Sequence, residues 1–103
     1  MNTTRRVLLV DDDADFVDRH RGVLEENGYD VIAAYGGDEC REKATSASPD
    51  IVVVDVSSPI FPTVLTIMMA TPQDKMFGVV DVRKEGTSEE LLESLKLASP
   101  RSS

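Results

Sequence analysis

Three consecutive aspartates, Asp11, Asp12 and Asp13, stop the apolar run at residues 6–10. Another, Asp55, stands one step from the end of the stretch DIVVVDV at residues 50–56. A run of Ile and Val apolar enough to be buried on both faces is a poor place for an acid. An ionised carboxylate in a core is costly unless it is paired, hydrogen-bonded or bound to metal. If both runs are strands of one parallel sheet, their carboxyl ends open on the same crevice, and Asp11, Asp12 and Asp55 meet there. Such an arrangement makes sense only if a cation joins the carboxylates. Oxygen ligands with a few waters suit Mg²⁺, which commonly serves phosphate chemistry. A carboxylate can also attack a phosphoryl donor directly once a cation offsets the repulsion between anions. The pattern points to phosphoryl transfer.

The segments around these residues alternate in the rhythm of β-α units. Residues 6–10 (RVLLV) predict a buried strand. From residue 14 to 27, Phe16, Val17, Val23 and Leu24 share one helical face with His20 among them, and Gly28 sits where the helix should stop. Residues 30–34 (DVIAA) predict a second strand. Gly36 and Gly37 open a weaker helix through Ser46 with Cys40 and Ala44 inward, and Ser48-Pro49-Asp50 turns the chain into the strand before Asp55. Strands buried on both faces belong to parallel sheets covered by helices, so the first half predicts a doubly wound α/β domain.

Composition narrows the partners. A length of 103 residues suits one domain, expected over residues 1–98 with a disordered tail at 99–103, and leaves no room for an output domain. The balance of 11 basic against 19 acidic residues gives a net charge of -8, which repels nucleic acid and anionic lipid alike. The single cysteine, Cys40, cannot form an internal disulfide, and the N-terminus lacks a long uncharged apolar stretch. A soluble, cytoplasmic protein is expected.

VLLVDDD at residues 7–13, PDIVVVDV at 49–56 with Pro59 four after Asp55, and VVDVRKEGTSEELLESL at 79–95 resemble the CheY-like receiver domain of two-component response regulators. The resemblance implies a flavodoxin-like fold in which Asp55 is the phosphoacceptor and Asp11 and Asp12 hold Mg²⁺ together with Asp55. It implies that Ser57, two past the acceptor, offers a backbone carbonyl to the metal. Lys84 would contact the phosphoryl group, and Thr71 would be the hydroxyl residue. It also implies a histidine kinase or phosphotransfer protein as donor, a downstream protein target, and no enzyme activity beyond the domain's own phosphorylation and dephosphorylation.

The second half departs from the family. Only residues 57–62 separate Val56 from the apolar run at 63–69, and only 72–78 separate Thr71 from Val79, whereas a parallel crossover needs roughly a dozen residues. A sheet of four to five strands is expected, with one or two helices missing or shortened. Residues 63–70 are themselves the crossover helix, or an antiparallel strand, or a strand completed by another chain. Their β-branched content (Thr63, Val64, Thr66, Ile67) favours a strand. A strand there would leave one sheet face bare and apolar, able to carry a homodimer. Asp81 stands where the family usually has an aromatic switch, and Glu85 where a proline normally follows the lysine. The last helix opens on a capping box at 87–90, with Leu91, Leu92 and Leu95 on one face.

Other chemistries compete. The successive aspartates could merely cap the following helix. An EF-hand reading of Asp11, Asp13 and Asp15 fails because Phe16 replaces the turn glycine and Gly22 the bidentate glutamate. LLVDDDADF also resembles the first motif of haloacid-dehalogenase phosphatases, with Asp11 as nucleophile, but little chain remains for a cap and further ligands. The stronger alternative is a degenerate receiver acting as a phosphorylation-independent interaction module. No nucleotide-binding motif is present.

Overall fold

A computed structural model describes residues 5–98, and the tail at 99–103 lies outside them. The chain runs β1 (Arg6–Val10), α1 (Ala14–Glu26), β2 (Asp30–Ala34), α2 (Gly37–Ser46), β3 (Ile51–Val54), α3 (Phe61–Ala70), a 3-10 turn (Gln73–Lys75), β4 (Gly78–Asp81) and α4 (Ser88–Ala98). The four strands are parallel in the order β2-β1-β3-β4. The winding direction reverses between β1 and β3, so the crevice of this sheet opens at their carboxyl ends.

Two apolar layers hold the helices to the sheet. Val7, Leu9, Ile51, Val53 and Val80 pack under α1 and α4 through Phe16, Val17, Leu24, Leu91 and Leu95. On the other face Leu8, Val10, Val52 and Val54 pack under α2 and α3 through Cys40 and Val64. Every residue of β3 is buried, as a central strand covered on both faces requires. Helix ends follow the local chemistry. Asp13 caps α1 by accepting from the backbone N–H groups of Asp15 and Phe16, and Gly28, at φ +92°, supplies the left-handed turn that releases the chain into β2. Thr87 and Glu90 form the expected reciprocal capping box, each side chain accepting from the other's N–H.

The strand expected over residues 63–70 is a helix instead. A strand leaving β3 for a parallel neighbour must first return along the whole sheet. Ten residues of α-helix rise roughly 15 Å, close to the roughly 13 Å spanned by a four-residue strand, so α3 alone makes the crossover. Pro62 in its first turn suits a helix start. Ile60, Val64, Ile67 and Met68, spaced by three and four, face the sheet. The helix penalty of β-branched residues, a few tenths of a kcal/mol each, is outweighed by fully burying Val64, worth about 1.5–3 kcal/mol, and by partly burying Ile60, Ile67 and Met68.

Two consequences follow. The sheet has four strands, and the helix-bare face expected to carry a homodimer does not exist, because α2 and α3 cover it. Among the described residues no helix is long and apolar enough to cross a membrane.

Leu95, fully buried between α4 and the sheet, tests the docking of the last helix. Leu95→Ala should lower unfolding free energy by about 2–5 kcal/mol, read as a shift of the denaturant midpoint with little change of slope.

Candidate functional site

The crevice at the switch point is built from four loop beginnings. β1 ends at Val10, and the next residue, Asp11, is still tied to the sheet because its N–H donates to the carbonyl of Ala34 at 3.0 Å. This buries Asp11 to 2% exposure while Asp12 and Asp13 turn outward. A carboxylate so placed needs partners, and Oδ1 has two: the N–H of Asp13 at 2.9 Å and the ammonium of Lys84 at 2.9 Å. Oδ2 has no protein partner. Lys84 also lies 3.7 Å from Asp13. Its hydrogen bond to Asp11, aided by the charges of Asp11, Asp13 and Asp12, holds the ammonium above the ordinary lysine range.

Asp55 follows β3 and is half-buried. The hydroxyl and N–H of Ser57 both donate to its Oδ1, at 2.6 Å and 2.9 Å. These bonds, the hydroxyl first, hold the Asp55 carboxyl below its ordinary value, and the Lys84 charge adds to the effect. The loop is pinned from a second side: Asp81, level with Val54 in the β3–β4 register, accepts the Val56 N–H at 3.0 Å.

Asp11 and Asp55 lie at one end of the sheet, as expected from their places at strand ends, and Lys84 joins them there, as the family resemblance implies. The aspartate run is divided: Asp13 caps a helix, Asp11 is the buried acid, and Asp12 is exposed. Among the described residues no group of three or more His, Cys, Asp or Glu side chains is close enough to hold a metal ion; on Asp11 the cation is Lys84. In kind, the donor suits a hard divalent ion, since the buried Oδ2 of Asp11 is a carboxylate oxygen left without a protein partner.

Thr71 is not in the site. It is the residue after α3, its hydroxyl donates to the Ile67 carbonyl at 2.6 Å, and it lines a cavity with Ser48 and Phe77, which precede β3 and β4. The expectation that Thr71 supplies the site hydroxyl fails because the helix that displaced the strand ends at the amino side of the sheet. Two contributors go beyond the family pattern. The resemblance assigns Ser57 only its carbonyl, yet its hydroxyl grips Asp55, and the Asp-x-Ser turn is the local signal for it. Asp81, at the position of the family's aromatic, accepts the Val56 N–H instead. Its role as a clip on the Asp55 loop depends on strand register and left no local mark.

Behind the site, Lys84 sits 5.1 Å from the centroid of the Phe16 ring, which meets the ring of His20 edge-on at 4.5 Å. His20 is buried, with Nδ1 2.9 Å from the Ser88 hydroxyl at the start of α4. Burial, then the charge of Arg19, depresses its pKa, with Asp11 opposing.

No protein-family model matches the chain. It is 34% identical over 76 residues to the alkaline phosphatase synthesis transcriptional regulatory protein PhoP of Bacillus subtilis, a match covering 74% of this chain and 32% of that protein. It is also 34% identical over 83 residues to the transcriptional regulatory protein PrrA of Mycobacterium tuberculosis, covering 79% of this chain and 36% of the relative. The chain thus spans about a third of the length of these relatives. Among solved structures, a response regulator signal receiver domain from Bermanella marisrubri matches with a TM-score of 0.78 at 18% identity, covering 93% of this chain and 98% of that one. Chemotaxis protein CheY4 of Vibrio cholerae matches with a TM-score of 0.75 at 25% identity, covering 93% and 99%.

Ser57→Ala should raise the Asp55 pKa toward the ordinary value of 3.8, followed by carboxyl-carbon NMR titration. An unchanged titration would mean that Ser57 does not hold the carboxylate. His20 tests a separate window. The unfolded chain binds a proton near the ordinary value of 6.5 while the folded protein resists it. The stabilising contribution is thus complete above that pH and lost as pH falls below it toward the depressed value. Denaturant midpoints of the wild type should fall between pH 7 and 5, and His20→Leu should flatten that slope.

Proposed function

The chain belongs to the CheY-like response regulator receiver domains, and on that premise we propose that it accepts a phosphoryl group on Asp55 with Mg²⁺ and signals through protein contacts. The observation that supports this is a buried acid, Asp11, that keeps one oxygen without a protein partner and binds Lys84 with the other, while the charge of the same lysine reaches Asp55. Ser57 occupies Oδ1 of Asp55, so Oδ2 is the oxygen available to react. Its lone pair attacks phosphorus, the bond from phosphorus to the donor breaks, and the electron pair leaves with the donor, giving an acyl phosphate.

Asp11, Asp12 and Asp55, with the carbonyl of Ser57, would hold the Mg²⁺, which supplies positive charge against the repulsion between the acids and the incoming phosphoryl group. Lys84 reaches the new phosphoryl oxygens by exchanging its bond to Asp11 for one to them. The donor is a histidine kinase or phosphotransfer protein, and the added charge biases a surface read by a downstream protein. The chemistry acts on the domain itself, not on a free substrate.

The test is labelling with acetyl phosphate, read by intact mass. Wild type with millimolar Mg²⁺ should gain one phosphoryl group, chelation should suppress it, and Asp55→Asn should bring it to background while leaving the fold intact. A wild type that stays unlabelled with Mg²⁺ would overturn this function in favour of the phosphorylation-independent interaction module. Labelling that survives in Asp55→Asn and disappears in Asp11→Asn would point instead to the haloacid-dehalogenase-like reaction.

A further inference from the structure

Lys84 depends on a bond that it must give up. Its ammonium is held by Asp11 Oδ1 at 2.9 Å and lies 3.7 Å from Asp13 Oδ2. To reach a phosphoryl group on Asp55 it leaves Asp11, and any positive charge arriving at that carboxylate weakens the same bond. Asp13 is a poor substitute. Its side chain is 48% exposed and screened by solvent, and its Oδ1 already accepts the N–H groups of Asp15 and Phe16. The lysine side chain is itself 43% exposed, so its flexible stem, once released, would swing into water.

The remaining contact carries no charge that a cation could neutralise. Nζ of Lys84 lies 5.1 Å from the centroid of the Phe16 ring. A carboxylate oxygen fixes an ammonium at one point, whereas a ring face attracts a cation anywhere within about 6 Å of its centroid. The platform is also firmly placed. Phe16 is 2% exposed, packed in the core layer under α1 and α4, and its N–H is held by the Asp13 cap at 3.3 Å. The buried His20 ring meets it edge-on at 4.5 Å, and His20 Nδ1 lies 2.9 Å from the Ser88 hydroxyl, so α1 and α4 together fix the ring. A second cation, the exposed Arg19, lies 5.8 Å from the same ring but forms no ion pair with Asp11, Asp13 or Asp55 among the described residues.

We propose that Phe16 is a positioning residue for phosphoryl transfer, its ring face retaining the Lys84 ammonium at the site while the lysine exchanges Asp11 for the phosphoryl oxygens. This rests on Asp55 being the acceptor, and it adds to the acids and the lysine a buried aromatic from the first turn of α1.

The test replaces Phe16 alone with 3,4,5-trifluorophenylalanine, which keeps the shape of the buried ring while draining electron density from its face. The first readout needs no phosphodonor. In the wild type the ε-CH₂ protons of Lys84 should be shifted upfield by the ring and stay shifted as millimolar Mg²⁺ is added, whereas in the fluorinated protein Mg²⁺ should move them toward the position of a free lysine. The second is the rate of labelling by acetyl phosphate with Mg²⁺, which should fall roughly three- to tenfold, the size of a cation–π contact. Arg19→Gln should change neither readout. The role of Phe16 is overturned if the fluorinated protein is labelled at the wild-type rate, if Lys84 of the wild type leaves the ring when Mg²⁺ is added, or if Arg19→Gln reproduces the effect of fluorination. Failure of the phosphoacceptor reading looks different: the wild type then takes no label, and the role of Phe16 falls with it.

Discussion

A parallel strand can be laid beside its predecessor only after the chain has travelled back along the sheet, and that requirement governs the second half of this protein. Between Val54 and Gly78 the chain makes one crossover, α3, so one strand follows β3 and no more. The strand that leads to Lys84 therefore lies directly against the strand that leads to Asp55. Had a further strand intervened, it would have added roughly 4.8 Å to their separation. The same economy leaves β4 as the edge of the sheet.

The site inherits its electrostatics from this adjacency. Asp11 is buried because its N–H completes the β1–β2 ladder beyond the strand end, and a carboxylate held in that position demands a cation. Lys84 meets the demand at 2.9 Å. The acceptor loop is made stiff by Ser57 within it and by Asp81 across it. Asp81 thus serves as a fixed hydrogen-bond clip where the family's pattern has an aromatic side chain. The ammonium also rests over Phe16, whose ring touches His20, whose Nδ1 meets Ser88 at the head of α4. A change in the position of Lys84 is therefore felt by buried groups on two helices.

The surface is divided between a charged end and an uncharged flank. No residue from 56 to 73 carries a charge, and α3 exposes Leu65 and Met69 while burying only Val64 fully. The first half of the chain has dense acidic patterning on its exposed helix faces, so the uncharged segment stands out as the part of the molecule least adapted to water alone.

What the sequence alone determined was local. The strand at residues 6–10, the helix begun by Asp13 and released by Gly28, the buried strand before Asp55 and the Thr87–Glu90 cap were all legible, because alternation, capping chemistry and glycine conformation act over a few residues. The placing of Asp11 and Asp55 at one sheet end was legible given parallel strands, whereas Lys84 was indicated there only by the family resemblance. Tertiary structure alone decided the rest. Residues 63–70 carry a strand's β-branched composition, yet crossing the sheet imposed a helix whose burial outweighed that preference. The helix in turn carried Thr71 to the wrong end of the sheet. Asp81 became a clip only through register with Val54, and β4 ends the described sheet only because a single crossover follows β3. Each of these depends on contacts between segments far apart in the chain, and no window of neighbouring residues records them.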